Sequence, residues 1–207
     1  MSKVFVNVGM SLDGYVAGPN GGPHNPLGDG GIDIHQWAFA TKAFLEHIGR
    51  EGGESSTRDN EIIEHTFRRS GAHIMGRRMF DEGEFNWPEN APFHGPVFVL
   101  TNNPRSPWVR KGGTTFYFSS DNVHAALAKA KEAAGTKDVR ISGGANVIQQ
   151  FLNAGLVEEL ELQVAPLLLG KGTRLFDQLD KNRLKFEIVE TIHSPRITHL
   201  RYKIVSP

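Results

Sequence analysis

Three short stretches place glycines and donors where an apolar run gives way to a polar or helical one. In "ISGGANV", Ser142, Gly143, Gly144, Ala145, Asn146 and Val147 close a buried run. Paired glycines let the backbone approach a ligand, and free amides at a helix start favour an anion. A phosphate suits that junction, although paired glycines also serve tight turns for steric reasons alone. In "IMGRRMFDEG", Gly76, Arg77 and Arg78 stand at the same kind of junction. Guanidinium groups offer several donors to phosphate oxygens, and the alternative is a pair of solvated arginines. "VLTNNPR" adds Thr101, Asn102, Asn103 and Arg105 at a third strand end. Open α/β sheets bind ligands outside the carboxyl ends of their strands, so three such ends together point to one binding edge.

Other chemistries lack their residues. The chain has no cysteine, which removes disulfides, thiolate metal sites and cysteine nucleophiles. Its nine histidines form no His-Glu-x-x-His arrangement, so no metal site is expected. No Gly-x-Ser-x-Gly elbow is present, "LLLGKGT" lacks the first glycine of a P-loop, and "SGGANV" lacks the full dinucleotide fingerprint. With 23 basic and 23 acidic residues the net charge is zero, which gives no global attraction to nucleic acid or to an anionic membrane. No apolar stretch reaches membrane-spanning length, and the expectation is a soluble cytoplasmic protein.

The elements that must position these junctions follow from periodicity. At 207 residues without a recognisable linker the chain is expected to form one domain over 1–207. Val4-Phe5-Val6-Asn7-Val8 opens a first strand, and "DIHQWAFATKAFLEHIG" reads as one helix or two short ones. Asp59 is expected to cap the helix that carries Ile62, Ile63 and Phe67, and Asp121 the alanine-rich helix that stops at Gly135. "AHIMG", "PVFVLT", "TTFYFSS" and "DVRIS" read as strands. The last third alternates apolar and polar residues with period two in "EELELQVAP", "RLKFEIVETI" and "ITHLRYKIV", which predicts half-exposed antiparallel strands. The class is therefore α/β with an antiparallel finish.

Two further groups of residues are singled out. Asp13 is a candidate for orienting substrate or a proton-donating water, or else a turn-stabilising carboxylate, and His35 is the second candidate. Trp37 and Trp87 are candidate walls for a flat substrate, or else ordinary core residues. The loop from Gly18 to Gly31 is long and rich in glycine and proline, as lids and binding loops are.

Taken together, "SLDGYVAG", "IMGRRMF", "VFVLTN", "ISGGANVIQQFLNAGLVEELELQVAPLLLGKGTRLF" and "THLRYKI" resemble the dihydrofolate reductase superfamily. The likeness is to the branch shared with the reductase domain of riboflavin biosynthesis, the RibD C-terminal domain, and it spans nearly the whole chain. It implies a single domain with a predominantly parallel sheet flanked by helices, antiparallel C-terminal strands and a bound NADPH. By position, Gly76, Arg77, Arg78, Thr101 and Asn102 would meet the 2′-phosphate and adenosine portion. Ser142 to Val147 would face the pyrophosphate and nicotinamide ribose, while Val8, Val16 and Ala17 would border the nicotinamide ring. Where folate enzymes carry a carboxylate on the first long helix, this chain offers Asp33, with His35 or Trp37 at the comparable place. The expected activity is NADPH-dependent hydride transfer to a C=N or C=O bond of a small, pteridine- or pyrimidine-like substrate, in a homodimer. The alternatives are a nucleotide- or ligand-binding protein without turnover and a flavin-using reductase.

Overall fold

The apolar runs form strands, and the amphipathic stretches between them fold back over the sheet. The computed structural model describes residues 2–205. The first part of the chain forms β1 (Val4–Ser11), the short β2 (Tyr15–Ala17), α1 (Gln36–Phe39), α2 (Lys42–His47) and α3 (Arg58–Arg69). The middle alternates β3 (Ser70–Gly76), α4 (Arg77–Glu84), β4 (Pro96–Leu100), β5 (Trp108–Val109), β6 (Thr115–Ser119) and α5 (Val123–Ala134). It is followed by β7 (Asp138–Gly143), α6 (Ala145–Asn153), β8 (Glu159–Ala165), β9 (Thr173–Arg174), β10 (Lys185–His193) and β11 (Thr198–Val205).

Nine strands make one sheet in the order β10-β11-β8-β1-β7-β3-β4-β6-β5, while β2 and β9 pair separately. The six strands from β8 to β6 run parallel, so their carboxyl ends share one edge. The strands β11 and β10 add antiparallel pairings on one side, with a bulge between Ile188 and Glu190, and β5 adds one on the other. The α/β class with a mostly parallel sheet and antiparallel C-terminal strands is therefore observed. Val6, Ile74, Ile141, Ile148, Phe151 and Leu160 belong to the largest apolar cluster.

Of the two readings of "DIHQWAFATKAFLEHIG", two short helices are observed, preceded by a 3-10 turn over Gly31–His35, because Thr41 turns extended and caps α2 through Phe44 N. Two sequence expectations need correction. The helices α3 and α5 are capped by Thr57 and Asn122 instead of Asp59 and Asp121. Thr57 lies two residues earlier and reaches Asn60 N, while Asp59 is buried and accepts hydrogen bonds from Ser194 Oγ and His199 Nε2. The second correction concerns β8, which pairs with β1 and β11 and is buried on both faces. Its alternating Glu159, Glu161 and Gln163 are covered, and Arg69 at the end of α3 satisfies the carboxylates at 2.9 Å each while also pairing with Asp138 at 2.7 Å. A buried charge persists when it is paired, which is why this polar alternation does not mark a solvent face.

Candidate active site

The carboxyl ends of β3, β4 and β7 open on a cavity of about 720 Å³. Its rim is built largely of backbone. Gly76 ends β3 so close to α6 that a Cβ there would come within 2.9 Å of Val147 Cγ2, so glycine lets the strand end approach the helix. The peptide between Gly143 and Gly144 is cis, and Gly143 adopts φ 131°. A Cβ on Gly144 would meet nothing within 4 Å, so the space beside its backbone is free.

Helix capping differs at this edge. Side chains cap α2, α3 and α5, whereas α1, α4 and α6 have no side-chain cap, and of these α4 and α6, which start at Arg77 and Ala145, have glycine N-caps. Both glycine-capped starts border the cavity. Unmet amides at a helix start, in the field of the helix dipole, suit an anion.

The cavity brings together Gly76, Arg77, Arg78, Thr101 and Asn102 with every residue from Ser142 to Val147. Val8, Val16 and Ala17 line it from β1 and β2, and His35 and Trp37 from the segment beyond the glycine-rich loop. The two arginines are not free: Arg77 Nε donates to Asp81 at 2.6 Å and Arg78 Nε to Glu82 at 2.9 Å, one helical turn on. Arg77 Nη1 also donates to Asn103 O at 3.5 Å. Thr101 Oγ1 accepts from Asn103 N, and Asn146 Oδ1 from Gln150 Nε2.

Asp13, Asp33 and Trp87 do not line this cavity. Asp13 accepts from Ser11 Oγ at 2.5 Å, Gly170 N at 2.7 Å and Leu169 N at 3.1 Å. The Ser11 hydroxyl, with the two amides, holds its carboxyl down to about 2. It ties the turn after β1 to the loop after β8, an arrangement of the kind the turn-stabilising alternative expects. Asp33 is exposed. Trp87 stacks on Phe116 with centroids 5.3 Å apart and meets Phe80 and Phe93 edge-on. A Cβ at Gly83 would overlap its indole, which shows how tightly α4 closes over it. Trp87, half-buried, packs against this separate apolar cluster.

Sequence reasoning missed the inner floor. Asn7, Gly9, Arg140 and Gln163 line it, with Phe44, Thr66 and Phe67 from the helices. The register pairs Phe5 with Arg140 and Gly9 with Gln163, so three strands deliver these side chains to one face. His35 lies over Gly9, where a Cβ would come within 3.0 Å of its ring. Burial, and then the neighbouring Arg140 charge, push the His35 imidazole down to about 4. Beside the floor, His73 Nδ1 and Ser142 Oγ lie 3.1 Å apart, and burial pushes His73 to about 3. Both rings are neutral near pH 7. The available signal was an arginine between two apolar residues, Val139 and Ile141, in the "DVRIS" strand.

The loop from Gly18 to Gly31 is held by its own hydrogen bonds. Gly18 N donates to Leu27 O and Asp29 N to Pro19 O, while Asn20 and Asn25 both donate to the Asp29 carboxylate. Leu27 N and Asn86 Nδ2 anchor it to α4 through Glu82 and Pro23 O, and Leu27 reaches the cavity.

Comparison with known proteins agrees with this architecture. The RibD C-terminal domain model matches residues 2–198. The uncharacterised protein YyaP of Bacillus subtilis is 39% identical over 74 residues, a stretch that spans 36% of this chain and 38% of that protein. Among solved structures, RibD of Acinetobacter baumannii superimposes with a TM-score of 0.63 at 18% identity, over 100% of this chain and 59% of that one. A dihydrofolate reductase of Enterococcus faecalis complexed with NADP(H) gives 0.55 at 14% identity, over 98% and 96% of the two chains. With a dihydrofolate reductase-like fold and a family match along nearly its whole length, the chain belongs to the RibD C-terminal domain family.

Proposed function

We propose that the protein is an NADPH-dependent reductase that delivers hydride to a C=N or C=O bond of a small heterocyclic substrate. The observation that carries this reading is the joining, in one cavity, of two uncapped helix starts and an aromatic-walled chamber. The donor set fits the cofactor: the amides at Ala145 and Arg77 suit its phosphates, and the free space at Gly144 admits a group that any side chain would displace. Bound NADPH would supply the hydride. Arg77, Arg78 and Thr101 are assigned to the 2′-phosphate, Ser142 to Val147 to the pyrophosphate and ribose, and Val8, Val16 and Ala17 to the edge of the nicotinamide. Trp37, Phe44 and Phe67 wall the substrate and exclude water. His35, neutral near pH 7, orients the substrate by hydrogen bonding, and water supplies the proton. A cytoplasmic homodimer completes the proposal; the exposed Phe186, Ile188 and Val189 on β10 support association, which the molar mass in solution tests.

The deciding experiment is a titration with NADPH and with NADH, followed by a panel of pteridines and aminopyrimidines in which loss of reduced-nicotinamide absorbance is followed. Tighter binding of NADPH and oxidation with at least one compound are expected. Binding without oxidation across the panel would leave a ligand-binding protein, and no binding of either dinucleotide would overturn the reading.

A further inference from the structure

Two arginines lie buried or half-buried on the same face of the sheet, and they are treated differently. Arg69 pairs with three carboxylates, Asp138, Glu159 and Glu161, at 2.7 to 2.9 Å. Arg140 has no carboxylate within ion-pair distance among the described residues. Its Nη2 donates only to neutral acceptors, Asn7 O at 3.1 Å and Asn7 Oδ1 at 3.3 Å, and its buried Nε has no partner. Asn7 is fixed in this duty because its own Nδ2 donates to Glu161, which Arg69 already engages. Gln163, only 3% exposed, lines the same floor.

An enclosed guanidinium without a counter-charge and with an unpartnered Nε, beside a buried carboxamide, is a receptor for something that is not protein. Buried charges are normally paired, and unmade hydrogen bonds of buried groups are unfavourable. The floor provides no carboxylate to greet a cation, and its nearby histidines are neutral. The geometry points to Arg140 as the residue that anchors substrate, and to substrates that carry a planar anion, a carboxylate or an ionised ring amide, which docks on the floor against Arg140 and Gln163. This deepens the reductase reading and rests on it for the word substrate; the receptor itself does not need the cofactor. Asn7 is then a positioning residue that sets the angle of the guanidinium fork.

The test uses benzoate and its neutral counterpart benzamide as probes of the intact protein, with affinity read by ligand-observed NMR. Wild-type protein should bind benzoate about 10- to 100-fold more tightly than benzamide, as a charge-assisted contact implies. Arg140→Met should erase that preference, Arg140→Lys should keep part of it, and NADPH affinity, read separately, should be unchanged in both. Equal affinity of the wild-type protein for the two probes overturns the proposal without any variant, so a misfolded variant leaves it decided. Benzoate preference in a protein that fails to bind NADPH would sink the reductase reading and leave the receptor standing. NADPH binding without benzoate preference would do the reverse.

Discussion

The rim of the cavity at Gly76, Gly144 and Thr101 and its floor at Asn7, Arg140 and Gln163 both present polar groups, but they draw them from different sources. At the rim the donors are mostly backbone amides at the starts of α4 and α6, and the two arginines there are partly exposed and paired with carboxylates one turn away. At the floor the polar groups are side chains from three strands, enclosed and sparsely paired. Backbone recognition needs only small residues at the right turn, whereas side-chain recognition depends on identity. The family's shared ligand is thus expected to be read at the rim, and what distinguishes this chain's substrate at the floor.

The largest effect should come from a residue that belongs to neither end. Trp87→Ala removes an indole stacked in the Phe80–Phe116 cluster and should destabilise the protein by about 3–5 kcal/mol, with unchanged NADPH affinity in the folded fraction. Chemical denaturation and titration measure the two quantities, and a selective loss of ligand binding would return Trp87 to the cavity. Next in size, Gly144→Val fills the free space beside the rim. It should weaken NADPH by roughly a hundredfold and leave the melting temperature in place, since about 3 kcal/mol is the upper range for a forced misfit. Gly9→Val at the floor should do the opposite, lowering stability by about 1–3 kcal/mol as its branched side chain meets Ile34 and His35, with NADPH affinity kept. If both glycine variants lost the same property, rim and floor would not be separate recognition regions.

A smaller loss, about 1 kcal/mol, is expected for NADPH when Arg77 and Arg78 are both replaced by alanine, because these guanidinium groups are exposed and already share their charge with Asp81 and Glu82. The loss should shrink as salt is added and be absent for NADH. A further test is pH. His35 and His73 have folded pKa values depressed to about 4 and about 3 by burial, against an unfolded value of about 6.5. In that window the unfolded chain binds more protons, so their contribution is complete above about pH 6.5 and is lost as the pH falls toward the folded values. Melting temperatures should therefore fall steadily on acidification across this range, and a flat profile would show that the two rings titrate alike in both states.

Much of the rim was legible because each junction is a contiguous string: "GRR" and "SGGANV" carry their geometry locally, in glycines and in the switch from strand to helix. The parallel core was legible for the same reason. The floor was not, since Asn7, Arg140 and Gln163 are far apart in sequence and meet only through strand register. The same register hid the fate of β8, whose alternating glutamates looked solvated until Arg69 covered them. Asp13 was legible only in part, for a different reason. Its place after the first strand suggested chemistry, and only the distant Leu169 and Gly170 amides, brought in by the loop after β8, show what its carboxylate holds. Capping erred by one or two residues because "SSTRDNE" and "SSDN" each offer several competent side chains.

A ligand seated at the glycine caps of α4 and α6 would also make the protein's durability depend on its surroundings. A ligand that seats on those amides binds the folded chain and not the unfolded one, so it adds RT ln(1 + [L]/Kd) to the free energy of unfolding, about 2.7 kcal/mol at a hundred times Kd. A gain of that size is comparable to the loss expected from many single substitutions. Molecules depleted of such a ligand would open, and become open to proteolysis, more often than their neighbours, so the supply of the ligand would help to set how long each copy of the protein survives.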